Sequence, residues 1–182
     1  MTSIIKVNNI QNSSGTSAMT INSDGAVFMP NRPCFHVEKN ADQSIPDNTI
    51  EAVTFETTTD GANSGQVINK GGLFANNKFT VTATTTGIYY FYTYLFCSSS
   101  ATSSDSYIYL RKNGSTQLQT VYPLYINGTA NYTLHTAQLV NLSSSGDYVE
   151  VVVDCNQNSS AALSVNFNSG YQRTNFGGYL IG

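Results

Sequence analysis

The sequence predicts an all-β protein, a sandwich or barrel of short antiparallel strands, and three observations carry that reading. Charged residues make up only 10% of the chain, against about 25% in an ordinary domain, and Ser, Thr, Asn and Gly take their place. Those residues disfavour helices and favour turns, whereas the abundant Tyr, Phe, Val, Ile and Thr favour strands. No stretch sustains a 3.6-residue apolar period, while short alternating runs bounded by turn clusters recur from end to end. With 182 residues, 40% of them hydrophobic, the chain can bury one full core and carry a small appendage.

The appendage is expected at residues 1–32, ahead of a main domain at 33–182. Ile4 to Ile10 reads as a short apolar strand and Asn12-Ser13-Ser14-Gly15 as a turn. Ala18 to Ile21 and Ala26 to Met29 read as a hairpin closed by Asn22-Ser23-Asp24-Gly25. A hairpin of this size is not stable alone. Its apolar residues, Ile5, Val7, Ile10, Met19, Ile21, Val27 and Phe28, therefore form a candidate arm or anchor that needs a partner.

Strands are then expected at Cys34–Val37, Ile50–Thr57, Phe79–Ala83, Tyr107–Leu110, Leu118–Tyr125, Tyr132–Leu142, Tyr148–Cys155, Leu163–Phe167 and Phe176–Ile181. Residues 58–78 are expected to hold one long loop and one weak strand, and Ser98 to Ser106 a second loop. The run from Ile88 to Cys97 differs from the rest. Side chains on a strand alternate faces, so Tyr89, Phe91, Thr93, Leu95 and Cys97 share one face and Ile88, Tyr90, Tyr92, Tyr94 and Phe96 the other. A sandwich core covers one face of each strand. The second aromatic face needs its own cover, because soluble monomers avoid patches of that kind. A subunit interface is the expected cover; the hairpin or a loop lying over the face is the alternative.

Four stretches, in order, resemble the globular heads of the first complement component, which share the jelly roll of tumour necrosis factor. They are Gly87-Ile88-Tyr89-Tyr90-Phe91-Tyr92-Thr93-Tyr94, Tyr109-Leu110-Arg111-Lys112-Asn113-Gly114, Leu142 through Gly146-Asp147-Tyr148-Val149-Glu150-Val151, and Phe176-Gly177-Gly178-Tyr179-Leu180-Ile181. Thr93 and Val81 stand where the family has aromatics, and both keep the alternation. The resemblance implies a two-sheet antiparallel jelly-roll sandwich and a homotrimer. Its inner sheet would contain the Tyr-rich and closing strands, with Tyr90, Tyr92, Tyr94, Phe96, Tyr179 and Ile181 at the trimer interface. The opening, Ile5-x-Val7-x-x-Ile10 with Gly15, then Met19-x-Ile21 with Gly25, is similar to openings of tailed-phage structural and tail-fibre proteins. Together these imply a virion protein. The length suits a capsid decoration or cement protein that binds the major capsid protein through its arm; the alternative is a tail-fibre or receptor-binding tip that recognises a host glycan through its loops.

No residue set nominates a catalyst. His36 and His135 stand singly, without a neighbour at metal-ligand spacing, and no nucleophile elbow, P-loop or dinucleotide glycine pattern occurs. Asp147 and Glu150 fall on opposite faces of a strand, so a glycosidase pair is not indicated. Asp60, Asp105 and Asp154 are scattered and make no Asp-dense calcium loop. Cys97 and Cys155 fall on core faces, as inert thiols. No cofactor, no metal and no enzymatic activity are expected. The net charge of −3 and scattered basic residues argue against nucleic acid as a partner. No apolar run approaches the roughly 20 residues that span a bilayer. The opening residues lack a signal pattern, so synthesis in a host cytoplasm and residence on the virion surface are expected.

Overall fold

A computed structural model describes residues 7–55, 67–99, 106–121, 130–157, 161–166 and 174–181. Among these the secondary structure is strand and turn, without helix. The strands are β1 (Asn9–Gln11), β2 (Ser17–Ile21), β3 (Val27–Phe28), β4 (Cys34–Glu38), β5 (Gln43–Ile45), β6 (Thr49–Ala52), β7 (Ile68–Lys70), β8 (Phe74–Ala75), β9 (Lys78–Thr80), β10 (Gly87–Ser99), β11 (Tyr107–Lys112), β12 (Thr116–Val121), β13 (Ala130–Leu142), β14 (Tyr148–Cys155), β15 (Leu163–Asn166) and β16 (Asn175–Leu180).

Two antiparallel sheets face each other as a jelly-roll sandwich. The inner sheet runs β7-β4-β16-β10-β13, with β15 and then β5 continuing past the end of β16. Strand β10 pairs with β13 along its whole length, Gly87 opposite Leu142 through Ser99 opposite Ala130. Its other edge is therefore shared by β16 and β15. The outer sheet runs β12-β11-β14-β9-β8, with β6 sharing the edge of β14 beside β9.

The sheets meet on a cluster of aromatic rings. Phe35 packs on Phe79 at 4.7 Å between centroids, on Phe176 at 4.9 Å and on Phe74 at 5.2 Å, and Phe79 meets Tyr89 at 5.0 Å. Each such side chain contributes about 1.5–3 kcal/mol on full burial. Tyr89, Phe91, Leu95, Cys97 and Cys155 are fully buried, as the alternation predicts. Burial pushes the Cys97 thiol up to about 12, which keeps it protonated and unreactive. Thr93, one of the two departures from the resembled pattern, is buried and donates from its hydroxyl to the Asn175 carbonyl at 2.8 Å.

Several elements differ from expectation for identifiable reasons. The strand expected at Ile50–Thr57 ends at Ala52, because the edge of β14 nearer Tyr148 belongs to β9. Val53 N still donates to the Val151 carbonyl, and side chains satisfy the next two amides: Thr54 N donates to Gln43 Oε1 and Phe55 N to Asn77 Oδ1, each at 2.9 Å. Buried Lys39 joins this knot, donating to Gln43 Oε1 and to the Thr54 carbonyl and hydroxyl. Desolvation lowers its pKa to about 8. The strand expected to reach Ala83 ends at Thr80. The loop expected from Ser98 begins later, since β10 keeps its pairing through Ser99. The strand β5 was not anticipated. Glu56 and Thr57, Tyr122–Tyr125 and Phe167 lie outside the described residues, as does most of the Ser98–Ser106 run.

Asp147 clamps two turns together. Asn113 and Gly114 both adopt positive φ, 53° and 71°, which suits an Asn-Gly pair in a hairpin turn. Asn113 Nδ2 donates to Asp147 Oδ1 at 2.8 Å, and Asn113 Oδ1 accepts from Tyr148 N at 2.9 Å. Ser144 N donates to Asp147 Oδ2, and Lys112 Nζ lies 3.1 Å from that oxygen. The Asn113 hydrogen bond, ahead of those from Lys112 and Ser144, holds the carboxyl below its ordinary 3.8. A depressed folded pKa stabilises the fold above the unfolded value and loses that contribution as pH falls through the folded one. Asp147→Ala should cost on the order of 2 kcal/mol at neutral pH in urea unfolding. Wild type should also lose stability more steeply than Asp147→Asn below about pH 4.

Candidate functional site

The outward face of the inner sheet is the most distinctive surface of the molecule. Pairing registers place Ile88, Tyr90, Tyr92, Tyr94 and Phe96 of β10 beside Leu139, Ala137, His135 and Thr133 of β13 on one side. On the other side stand Tyr179, Gly177 and Asn175 of β16, then Cys34, His36 and Glu38 of β4, then Ile68 and Lys70 of β7. Ile181 continues the alternation just past β16. Among the described residues, twelve large apolar side chains stand out as exposed, and six of them are here: Ile68, Ile88, Tyr94, Leu139, Tyr179 and Ile181. Five more are Val7, Ile10, Val27, Phe28 and Met29 in the N-terminal segment. The distribution is therefore two patches and not a scatter, which is the arrangement that marks an interaction surface.

Glycines let the rings lie flat on this face. Tyr92 crosses β16 over Gly177, its ring occupying the space a Cβ would need. Its hydroxyl meets His36 Nδ1 at 3.0 Å on the far strand, and His36 Nε2 lies 3.4 Å from Glu38 Oε1. Burial pushes the Tyr92 phenol above its ordinary 10.0. On the core side, a Cβ at Gly178 would stand 2.8 Å from the Phe91 ring and 3.0 Å from that of Phe35. Tyr90 packs against Tyr179 at 5.5 Å, and Tyr94 stacks on His135 at 5.4 Å. These contacts fix the rings and leave their outer surfaces open.

Of the residues expected at a trimer interface, Tyr90, Tyr92, Tyr94, Tyr179 and Ile181 share this face. Phe96 is different: it is 8% exposed within one chain and has little surface left to offer a second copy. Sequence reasoning missed Leu139, at 58% the most exposed of the group, along with Ile68 and His36. Leu139 stands directly opposite Tyr90, a neighbour that only the strand register reveals. Both histidines, which stand singly in the sequence, lie on this face.

The N-terminal strands form a separate sheet, β1-β2-β3. Ile10 is opposite Met19 and Ile21 opposite Val27, so these four share one face; Phe28, opposite Thr20, is on the other. Ile5 lies outside the described residues. Phe28 lies under Lys70, whose Nζ is 5.1 Å from the ring centroid. Arg32 tethers the linker, donating to the Leu180 and Ile181 carbonyls at 2.6 and 2.7 Å. The hairpin thus sits beside the aromatic face at its base and leaves most of it uncovered. Among the described residues, no group of His, Cys, Asp and Glu could hold a metal ion, and no helix is long and apolar enough to cross a membrane.

No protein-family model matches the sequence, and neither does any curated protein. Solved structures do match. The globular domain of zebrafish complement 1qA protein is 17% identical over 82% of this chain and 98% of that one, with a TM-score of 0.49. Murine APRIL at pH 8.0 is 17% identical over 82% and 99%, with a TM-score of 0.49. Murine APRIL at pH 5.0 is 14% identical over the same shares, with a TM-score of 0.50. At such identities a likeness concerns the fold alone; the antiparallel sheet order, with the likeness to murine APRIL at pH 5.0, establishes an all-β jelly-roll sandwich.

Gly177→Ala should force the Tyr92 ring off β16 and cost about 1–3 kcal/mol in urea unfolding. In a Tyr92→Ala background that cost should largely vanish. An equal cost in both backgrounds would mean that the ring is not what the glycine accommodates.

Proposed function

We propose that this chain is a non-enzymatic structural protein that assembles as a homotrimer through the outward face of its inner sheet and decorates the surface of a virus particle. The observation that carries the proposal is the uncovered face itself. Its rings are pinned by Gly177, His36 and His135, so they are preorganised, and little side-chain entropy is lost when a second copy covers them. Tyr is well suited to such a place, since the ring buries apolar area while the hydroxyl keeps a polar partner. The jelly-roll fold supports the reading by analogy.

The particle assignment draws on the N-terminal sheet. Its Ile10, Met19, Ile21 and Val27 face is apolar and half-open, and β1 and β3 are edge strands. Edges of that kind pair readily with a strand of another protein. The arm would grip the major capsid protein in this way, with the jelly roll displayed outward. Synthesis takes place in the host cytoplasm.

Quantitative mass spectrometry of purified particles tests the placement. Copies in the hundreds, in fixed ratio to the shell protein, are expected. A few to a few tens would move the protein to the tail, and absence from particles would overturn the virion reading. For assembly, Leu139→Arg and Tyr94→Arg should each convert the trimer to a monomer with the same β-rich circular dichroism. A trimer that survives both changes would place the contact elsewhere.

A further inference from the structure

The outward face of the outer sheet carries a cleft with a chemistry unlike that of the aromatic face. It has a volume of about 280 Å³ and is walled by Tyr107, Tyr109, Gln117, Thr120 and Asp154. The registers explain the grouping. Tyr107 of β11 is directly opposite Asp154 of β14, and Tyr109 is opposite Thr120 of β12. These positions alternate with Ile108, Leu110 and Val153, which enter the core. The cleft therefore opens away from both the core and the inner sheet.

We propose that this cleft binds a neutral saccharide unit. Every wall residue carries a polar group, and Tyr107, half-buried, also presents aromatic carbon, while Tyr109 is buried beneath it as part of the floor. Asp154 accepts hydrogen bonds from hydroxyls, Gln117 both donates and accepts, and Thr120 does the same. A phenol ring beside them suits the C–H face of a sugar. An anionic ligand is disfavoured, because among the described residues no Lys or Arg lines the cleft and Asp154 repels it. The cation on the same face, Arg111, is committed to Glu150, with Nε 2.9 Å from Oε1. A purely apolar ligand would leave the carboxylate desolvated and unpaired, at a cost of several kcal/mol.

Among the described residues, no second carboxylate is placed to make this cleft a hydrolase. The other carboxylate on this face of β14 is Glu150, four residues along the strand from Asp154, which is about 13 Å at roughly 3.3 Å per residue. Glycosidase carboxylates stand about 5–9.5 Å apart, and Glu150 is held in its ion pair. In the trimer proposed above, the three clefts face away from the seam, so each copy adds one independent subsite and tethered copies gain avidity. The inference does not depend on that assembly, because every wall residue comes from one chain.

The test is a nuclear magnetic resonance titration of the isotope-labelled protein with D-glucose, D-galactose, D-mannose and N-acetyl-D-glucosamine in turn, with N-acetylneuraminic acid as the anionic comparison. At least one neutral sugar should shift the amides of Tyr107, Tyr109, Gln117, Thr120 and Asp154 saturably, and the anionic sugar should not. Asp154→Ala should weaken binding at least about tenfold, and Gln117→Ala severalfold, with melting temperatures unchanged. The monomeric Leu139→Arg variant should bind with the same per-site affinity, which separates this site from the assembly reading. Absence of a shift with all four sugars, or binding unaffected by both cleft variants, would overturn the proposal.

Discussion

One strand at the centre of the inner sheet is apolar on both faces, and a two-sheet sandwich can cover only one of them. That constraint organises the rest of the molecule. The inward side of β10 meets Phe35, Phe79 and Phe176 and anchors the core. Among the described residues, no second sheet lies against the outward side. Its rings are instead laid across β16 and braced by residues of β4 and β13, which orders them without hiding them. The free energy still available from covering that face is what drives the assembly we propose.

The two glycines of β16 follow from the same constraint. A strand between aromatic rings on both sides has no room for its own side chains at the points of crossing. Gly177 yields its outward space to Tyr92, and Gly178 yields its inward space to Phe91 and Phe35. The Asp147 clamp does comparable work at the other sheet, where it fixes the turn after β11 to the turn before β14. The hairpin sheet, tied to the jelly roll through Arg32 and Lys70, extends the apolar surface beyond the sandwich.

Much of this is legible in the chain because strand alternation is a local property. The two faces of β10, the limits of β14 and the burial of Cys97 and Cys155 follow from counting residues by twos. What depends on pairing is not local. Gln43–Ile45, three residues between Asp42 and Pro46, is too short to carry an alternation of its own and becomes β5 through its pairing with β15. Leu139 joins the aromatic face through its register with Tyr90, and Phe96 is covered although the alternation alone leaves it open. The polar cleft of the outer sheet is likewise a product of register, since Tyr107 and Asp154 are far apart in sequence and opposite in space.

The central claim is that the open face of the inner sheet is covered by further copies of this chain. Sedimentation equilibrium of the unmodified protein measures it most directly. The account predicts a single species of three times the 19.7 kDa chain mass, persisting on dilution. A species of 19.7 kDa at all accessible concentrations would contradict it, and would mean that the aromatic face is covered by a different protein or by none.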